Sequence, residues 1–435
     1  MQYISLAILI AGIGVGTMQA QEVDINKAIE LALEKNYDVR SAILSREITD
    51  NQAEAGNAGY MPSVYIDGSG NYSLQNTEIQ FPSPEQPSIS ADNAATINLA
   101  ASGVVSYTLF NGGRRLYTYR NLQSQSEDGR LREKLAMERT SLTVVTRFLD
   151  LLRLNDAVSI NSELVSLSND RLQRAKENYG YGNFTRLQLL NAEVDLRTDS
   201  ISLIESELRR TQALRDLNLA IGLPADTVYS IDSVFTFLPA IEKNTLLQGA
   251  KTKNSQYLQA RNDVYGAEQL LNASKADRLP TLNLQGGYSY NFNKFEASFL
   301  DRQETYGLNA GLSLRFYLFD GGRMQRNIDN AQLSAQIAEV EQERRLNELI
   351  KLINNAYDSY TTSLALFNLS RRNLNLAEAN FTRSRDAFNT GQITGIELRD
   401  AQINLAQARY EISIRRISAK LAETGLLFEA GVLLE

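Results

Sequence analysis

Leu109-Phe110-Asn111-Gly112-Gly113-Arg114 returns later in the chain as Leu318-Phe319-Asp320-Gly321-Gly322-Arg323. The spacing of 209 residues, from Asn111 to Asp320, also carries Gly182 onto Gly391, Leu189 onto Leu398, Ala192 onto Ala401 and Leu196 onto Leu405. One unit of roughly two hundred residues is therefore duplicated, a period far beyond the ~20–50 residues of solenoid repeats. Each copy holds two strand patterns followed by a very long helical pattern.

The strand patterns alternate with period two. In 63–74, Val64, Ile66, Gly68, Gly70, Tyr72 and Leu74 fall on one face, and Ser63, Tyr65, Asp67, Ser69, Asn71 and Ser73 on the other. In 96–110, Ile97, Leu99, Ala101, Val105, Tyr107 and Leu109 oppose Asn98, Ser102, Ser106 and Thr108. The segments 281–293 and 307–319 repeat the pattern, with Leu282, Leu284, Tyr288, Tyr290 and Phe292, and with Leu308, Ala310, Leu312, Leu314, Phe316 and Leu318. Each run exceeds the ~9–11 residues that a tilted strand needs to cross a bilayer, and apolar-out, polar-in alternation marks an outer-membrane strand. A soluble half-buried sheet also alternates; four such strands at matching points of a duplicated chain favour the barrel. Tyr65, Tyr72, Tyr107, Tyr288, Tyr290 and Phe316 are candidates for an interfacial aromatic girdle, and Phe110, Tyr317 and Phe319 for that girdle or for packing at the barrel-to-helix transition. The first hairpin is nine residues longer than the second, and the excess is expected in its proline-rich loop, 81–87.

Residues 113–178 and 322–389 contain no Pro and almost no Gly, with apolar residues three and four apart. Leu142, Val145, Phe148, Leu149 and Leu152 form one stripe, and Ile350, Ile353, Ala356, Tyr357 and Tyr360 form its counterpart. At 1.5 Å per residue each helix is a rod of roughly 100 Å, suited to an extended bundle and not to a globular core. Turns at 178–183 and 388–392 lead into return helices, 185–221 and 394–428. Segments 26–59 and 244–279 read as helices that enter a strand through Pro62 and Pro280, and 225–243 as one or two short strands and a linker.

Composition narrows the chemistry. The 435 residues include no His, Cys or Trp, and the net charge of −7 is spread without a long run of one sign. Ser-His-Asp and Cys-His catalysis, His- or Cys-ligated zinc and disulfides are excluded, and no basic tract points to nucleic acid. No Asp or Glu pair stands in a recognisable catalytic context, so neither enzyme activity nor a cofactor is expected. Residues 4–15 are the only long apolar segment; their length fits the core of a signal peptide ending near Ala20 and is too short for a membrane helix. Membrane insertion must then be by β-barrel. Four strands cannot close one: small barrels have about eight, and open edges in lipid cost several kcal/mol per unpaired backbone group. Protomers must share it, two giving eight strands and three giving twelve.

Taken together, these residues resemble the TolC-type outer-membrane efflux proteins along essentially the whole chain after residue 20. The resemblance rests on Pro62 and Pro280 at helix-to-strand joints and on the two Leu-Phe-Asn/Asp-Gly-Gly-Arg segments at strand-to-helix joints. It rests also on the tips Tyr179…Gly182…Leu189-Leu190-Asn191-Ala192-Glu193 and Phe388…Gly391…Leu398-Arg399-Asp400-Ala401-Gln402, and on Leu217-Asn218-Leu219-Ala220-Ile221-Gly222-Leu223-Pro224 at the end of a return helix. It implies a mixed α and β fold: a homotrimeric twelve-stranded outer-membrane β-barrel, four strands per protomer, continuing into a long periplasmic α-helical barrel. The corresponding segments are a signal peptide at 1–20, a helical segment at 21–60, a β-hairpin at 61–110, a helical hairpin at 111–221 with its tip near 178–184, an equatorial segment at 222–243, a second helical segment at 244–279, a second β-hairpin at 280–319 and a second helical hairpin at 320–430 with its tip near 388–394.

The function so implied is a passive duct in a tripartite efflux or type I secretion system of a Gram-negative outer membrane, docked by a periplasmic adaptor and coupled through it to an inner-membrane pump. A non-conducting coiled-coil scaffold is the alternative; it predicts uninterrupted heptads and no lipid-facing strands. Within the channel class, the absence of His and Cys and the presence of only five Met favour organic over metal cargo. Asn111 and Asp320 suit helix N-caps, with Gly112, Gly113, Gly321 and Gly322 allowing a sharp joint. For adaptor docking the resemblance points to Tyr179, Gly182, Asn183, Leu187, Phe388, Gly391, Gln392 and Ile396. Glu378, Arg383, Arg385 and Asp386, near the second tip, are the candidates for a charged gate.

Overall fold

The computed structural model describes residues 22–83, 85, 87–239, 242–298 and 300–434. The expected signal peptide lies outside them. The elements run in the order β1 (Glu22–Val23), α1 (Ile25–Lys35), α2 (Tyr37–Gln52), β2 (Ser63–Ile79), β3 (Ile89–Asn111), α3 (Arg114–Gly180), α4 (Arg186–Ile221), β4 (Ser230–Ile231), α5 (Lys243–Lys253), α6 (Ser255–Ala276), β5 (Thr281–Phe295), β6 (Arg302–Arg315), α7 (Arg323–Asn389) and α8 (Gly395–Ala430). Both α3 and α7 are 67 residues long, and both α4 and α8 are 36. No helix among the described residues is long and apolar enough to cross a membrane. The chain forms two compact units, one of Met1–Ala42, Lys134–Asn254 and Glu348–Glu435, the other of Ile43–Glu133 and Ser255–Asn347.

The second unit holds one antiparallel sheet in the order β2-β3-β5-β6. Its register turns the four alternating patterns into two continuous faces, because residues directly opposite in a ladder point the same way. Val64 lies opposite Val105, Val105 opposite Gly286, and Gly286 opposite Ala310. Tyr72–Ile97, Leu99–Phe292, Leu284–Leu312 and Leu282–Leu314 fall on the same side. The other face carries rows such as Asp67–Ser102–Ser289 and Asn71–Asn98–Asn293–Gln303. The apolar face is bare within the chain: Ile66 is 85% exposed and Leu308 86%.

The sheet corrects several sequence expectations. A bulge between Thr108 and Phe110 sets Phe110, not Leu109, opposite Leu282; the inserted residue shifts the alternation by one. Tyr65 pairs with Val104 on the polar face and leaves the girdle candidates. β6 stops at Arg315, opposite Thr281, short of the expected Phe319; β5 begins there, after Pro280, so later residues have no ladder partner. The extra length of the first hairpin lies mainly in its strands. They pair out to Ile79 and Ile89 and leave 80–88 for the turn, against 296–301 in the second hairpin.

In the first unit the α3 stripe is buried as expected, with Phe148, Leu149 and Leu152 packed under Leu217, Ile221 and Ile417. Burying each such side chain stabilises the unit by about 1.5–3 kcal/mol. Of the counterpart stripe, Ile353 and Tyr360 are buried. β4 pairs in parallel with β1, a strand the sequence did not reveal.

The two short helical segments are each broken where one helix was expected, at Asn36 and at Asn254. Asn36 caps the helix that follows, its Oδ1 accepting from the N–H groups of Asp38 and Val39 at 2.8 and 3.3 Å. Its Nδ2 donates to Ala220 O at 2.8 Å, as Asn254 Nδ2 does to Glu429 O at 2.9 Å. Each break seats the end of a return helix, where Gly222 and Gly431 adopt φ of 87° and 72°. A Cβ at Gly222 would stand 2.5 Å from Lys35 O, and one at Gly431 2.5 Å from Lys253 C, so only glycine permits the contact. The helix expected to reach Gly59 ends at Gln52, where Asn57 Nδ2 donates to the carbonyls of Asn51 and Gln52.

Candidate functional site

Pro62 and Pro280 immediately precede β2 and β5. At the strand-to-helix joints the helices start at Arg114 and Arg323, so Asn111 and Asp320 stand ahead of the cap position expected for them. Their side chains still reach the helix, Asn111 Oδ1 accepting from Arg115 N–H at 3.4 Å and Asp320 Oδ2 from Met324 N–H at 2.8 Å. Between them Gly112, Gly113, Gly321 and Gly322 all have positive φ, from 67° to 84°, which folds the side chain back over the helix start.

At the tips, Gly182 and Gly391 have φ of 78° and 74° and donate to Tyr179 O and Phe388 O at 3.0 Å. Asn183 and Gln392 donate their N–H groups to Asn178 O and Ala387 O, closing each helix end. The return helices begin with capping boxes that the sequence reading missed. Thr185 Oγ1 accepts from Gln188 N–H while Thr185 N–H donates to the Gln188 side chain at 2.7 Å, and Thr394 and Glu397 repeat this. Thr-x-x-Gln and Thr-x-x-Glu are the sequence signal. Hydrogen bonds from the Thr394 backbone and side chain hold the Glu397 carboxyl below its ordinary value.

Tyr179, Leu187 and Ile396 are exposed apolar surface at the tips. Phe388 differs: its ring packs partly buried on Phe381 and Leu398 in the second tip's own core, a structural role the docking expectation left out. Between the two tips lies a cavity of about 380 Å³ lined by Phe184, Ala192, Phe388 and Ile396, with Arg171 and Arg399.

The four gate candidates do not form a cluster within the chain. Glu378 stands 4.0 Å from Arg409, which also pairs with Glu163. Arg385 lies over the Phe381 ring at 5.9 Å. Arg383 and Asp386 are exposed and have no ion pair among the described residues. A buried ion network lies elsewhere, where the two helical hairpins meet. Arg399 on α8 grips Asp199 on α4 through two hydrogen bonds of 2.9 and 2.7 Å, and Ser168 on α3 donates to the same carboxylate. Arg171 bonds Asp195 at 2.7 Å and Gln402 at 3.2 Å. The Asp199 side chain is 7% exposed and that of Arg399 15%. Burial opposes the Arg399 charge, but the Asp199 contacts outweigh it and raise its pKa, whereas burial lowers that of Arg171 against the pull of Asp195. The sequence signal was polar residues on an apolar stripe: Asp199 continues the spacing of Leu189, Ala192 and Leu196.

The profile of the outer membrane efflux protein family matches residues 28–223 and 246–431. The chain is 23% identical over 434 residues to the cation efflux system protein CusC of Escherichia coli O157:H7, covering 94% of this chain and 85% of that protein. Among solved structures, the Campylobacter jejuni CmeC outer membrane channel superposes with a TM-score of 0.77 at 16% identity, over 94% of this chain and 86% of that one. The open-state Neisseria gonorrhoeae MtrE outer membrane channel superposes with a TM-score of 0.72 at 16% identity, over 94% and 89%. At such identities the structural likeness speaks for the fold, and the profile match for the family. The chain belongs to the outer membrane efflux protein family and is a protein of the outer membrane.

Proposed function

We propose that three copies of this chain form one passive efflux or secretion duct, built from a duplicated unit, with no enzymatic step of its own. The observation that carries this reading is the two-faced sheet with open edges. Its apolar face suits lipid and its polar face an aqueous bore, but β2 and β6 each have only one neighbour. Unpaired edges in a bilayer are costly, and adding equivalent sheets edge to edge removes them; three sheets give twelve strands. The same face argues against a non-conducting scaffold.

In this reading 21–60 and 244–279 lead into the barrel hairpins at 61–110 and 280–319, 222–243 is equatorial, and the hairpins at 111–221 and 320–430 form a periplasmic tunnel. Adaptor docking is assigned to the tips, with Tyr179, Leu187 and Ile396 offering side chains around the inter-tip cavity, Gly182, Asn183, Gly391 and Gln392 holding the turns, and an inner-membrane pump supplying energy through the adaptor. Arg383 and Asp386 are assigned to the gate: without an ion pair among the described residues, three copies of each would ring a narrow bore and sort ions by charge. The cation cargo named for CusC is not carried over, since this chain has no His or Cys and only five Met with which to bind soft metals.

Reconstitution into a planar lipid bilayer with single-channel recording tests the duct. Discrete conductance that increases in Asp386→Asn or Arg383→Gln is expected. Absence of conductance across a range of voltages contradicts a duct and leaves the scaffold.

A further inference from the structure

A cavity of about 460 Å³ opens at the strand-to-helix joint of the second unit, lined by Arg114, Arg315 and Arg323 together with Thr108, Asn283 and Tyr317. It lies on the polar side of the sheet: Arg315 is opposite Thr281, and Thr108 donates to Asn283 Oδ1 at 2.9 Å in the neighbouring polar row. Two carboxylates serve these three guanidinium groups. Asp277 is taken by Arg114 at 2.5 Å. Asp320 accepts from Met324 N–H at 2.8 Å and stands 3.8 Å from Arg323 Nε, so its charge is shared between a helix start and that arginine. Arg315 has no ion pair among the described residues. The N-termini of α3 and α7, with the positive ends of their dipoles, border the same space through Arg114 and Arg323.

We propose that this cavity is an anion-binding site, which takes the phosphate or sulfonate group of a solute in the duct; this rests on the duct reading above. Arginine forks match such groups with paired, charge-assisted hydrogen bonds. The excess positive charge is local, within a chain whose net charge is −7. The Tyr317 ring and Leu279 on the same wall supply apolar surface for the remainder of an amphiphilic solute. Because the cavity opens on the polar face, its ligand arrives from the aqueous bore and not from the lipid that the opposite face would meet. Three copies would make a basic belt at the base of the barrel, where an anionic solute leaving the helical tunnel is held briefly before it enters the strands.

The test is calorimetric titration of inorganic pyrophosphate into the purified, detergent-solubilised full chain at low salt, with single-channel recording on the same preparations. One saturable site per chain is expected, weakened at least about tenfold, or 1.4 kcal/mol, in Arg315→Gln and in Arg323→Gln. It should be weakened less in Arg315→Lys, which keeps the charge but loses the fork, and be unchanged in Arg302→Gln, which removes the same charge at the far end of β6. No saturable binding to the wild type overturns the site, as does an equal loss in Arg302→Gln, which would reduce the effect to bulk charge. An unchanged oligomer mass certifies the fold of each variant. Saturable, Arg315-dependent binding without conductance upholds the site and refutes the duct, whereas conductance without binding refutes the site alone.

Discussion

The first helical hairpin, α3 and α4, and the second, α7 and α8, have equal helix lengths, a positive-φ glycine at the same place in each tip, and a capping box at the start of each return helix. They part in their buried charge. Ser168, Arg171, Asp195, Asp199, Arg399 and Gln402 correspond across the repeat to Ala377, Asn380, Asn404, Ala408, Leu190 and Glu193. None of the six is the same residue at its counterpart position, and the charges of Arg171, Asp195, Asp199 and Arg399 are all absent there. What the repeat keeps is backbone: caps, joints and apolar stripes. What it does not keep is the polar link between the hairpins, in which Arg399 donates to Asp199 and Arg171 to Gln402.

The largest test of that difference makes the halves more alike. Arg399→Leu copies Leu190 and leaves the Asp199 carboxylate buried without its partner, at an expected loss of about 3–5 kcal/mol in denaturant unfolding. The double variant Asp199→Ala/Arg399→Leu copies both counterparts and should recover most of the loss. If it is no better than the single variant, the pair is not an isolated ionic lock.

A second test compares the joints. Gly112→Ala combines a left-handed backbone with a Cβ 2.5 Å from Ala276 O, whereas Gly321→Ala meets nothing within 4 Å. Thermal unfolding should register about 2–4 kcal/mol for the former and about 1–2 kcal/mol for the latter. Equal effects would mean that the two joints are packed alike.

The tips differ in their response to acid. Glu397 is held below its ordinary value of 4.5 by the Thr394 backbone, so its contribution is present above that value and lost as pH falls through the lower folded one. Gln188 does not titrate. Protection of the Leu398 amide, relative to its intrinsic exchange rate, should therefore fall as pH drops through that lowered value while protection at Leu189 changes less, and Glu397→Gln should abolish the contrast. Parallel behaviour of both amides in the wild type would show that the box does not govern the tip.

The smallest effect on stability is expected at the outer surface. Leu187→Ser and Ile396→Ser should change unfolding by less than about 0.5 kcal/mol, yet weaken capture of a cognate adaptor. Unaltered capture with both substitutions would move docking away from the tips.

The recurring Leu-Phe-Asn/Asp-Gly-Gly-Arg joints and the period-two strands made the fold legible, because backbone geometry and strand alternation both leave local patterns. The breaks at Asn36 and Asn254 were not legible, since each helix end is decided by a return helix far along the chain. The Leu109 bulge escaped because it alters the register by a single residue. The gate candidates, Glu378, Arg383, Arg385 and Asp386, stand close to the second tip along one helix, α7, but the buried Asp199–Arg399 pair forms between helices 200 residues apart in sequence. Asp199 on an apolar stripe is the readable clue, and it has no charged counterpart at Ala408.

Sharing of the barrel is tested most directly at the sheet edges, and the absence of native cysteine makes the reagent clean. Within one sheet β2 and β6 are three strand spacings apart, roughly 14 Å, beyond the ~7 Å Cα separation a disulfide spans. Ser69→Cys on β2, combined in turn with single cysteines along β6 and oxidised in the membrane, should give at one register a covalent ladder that ends at three chains. Only monomer at every position, or a ladder that ends at two or four, would contradict the trimeric barrel.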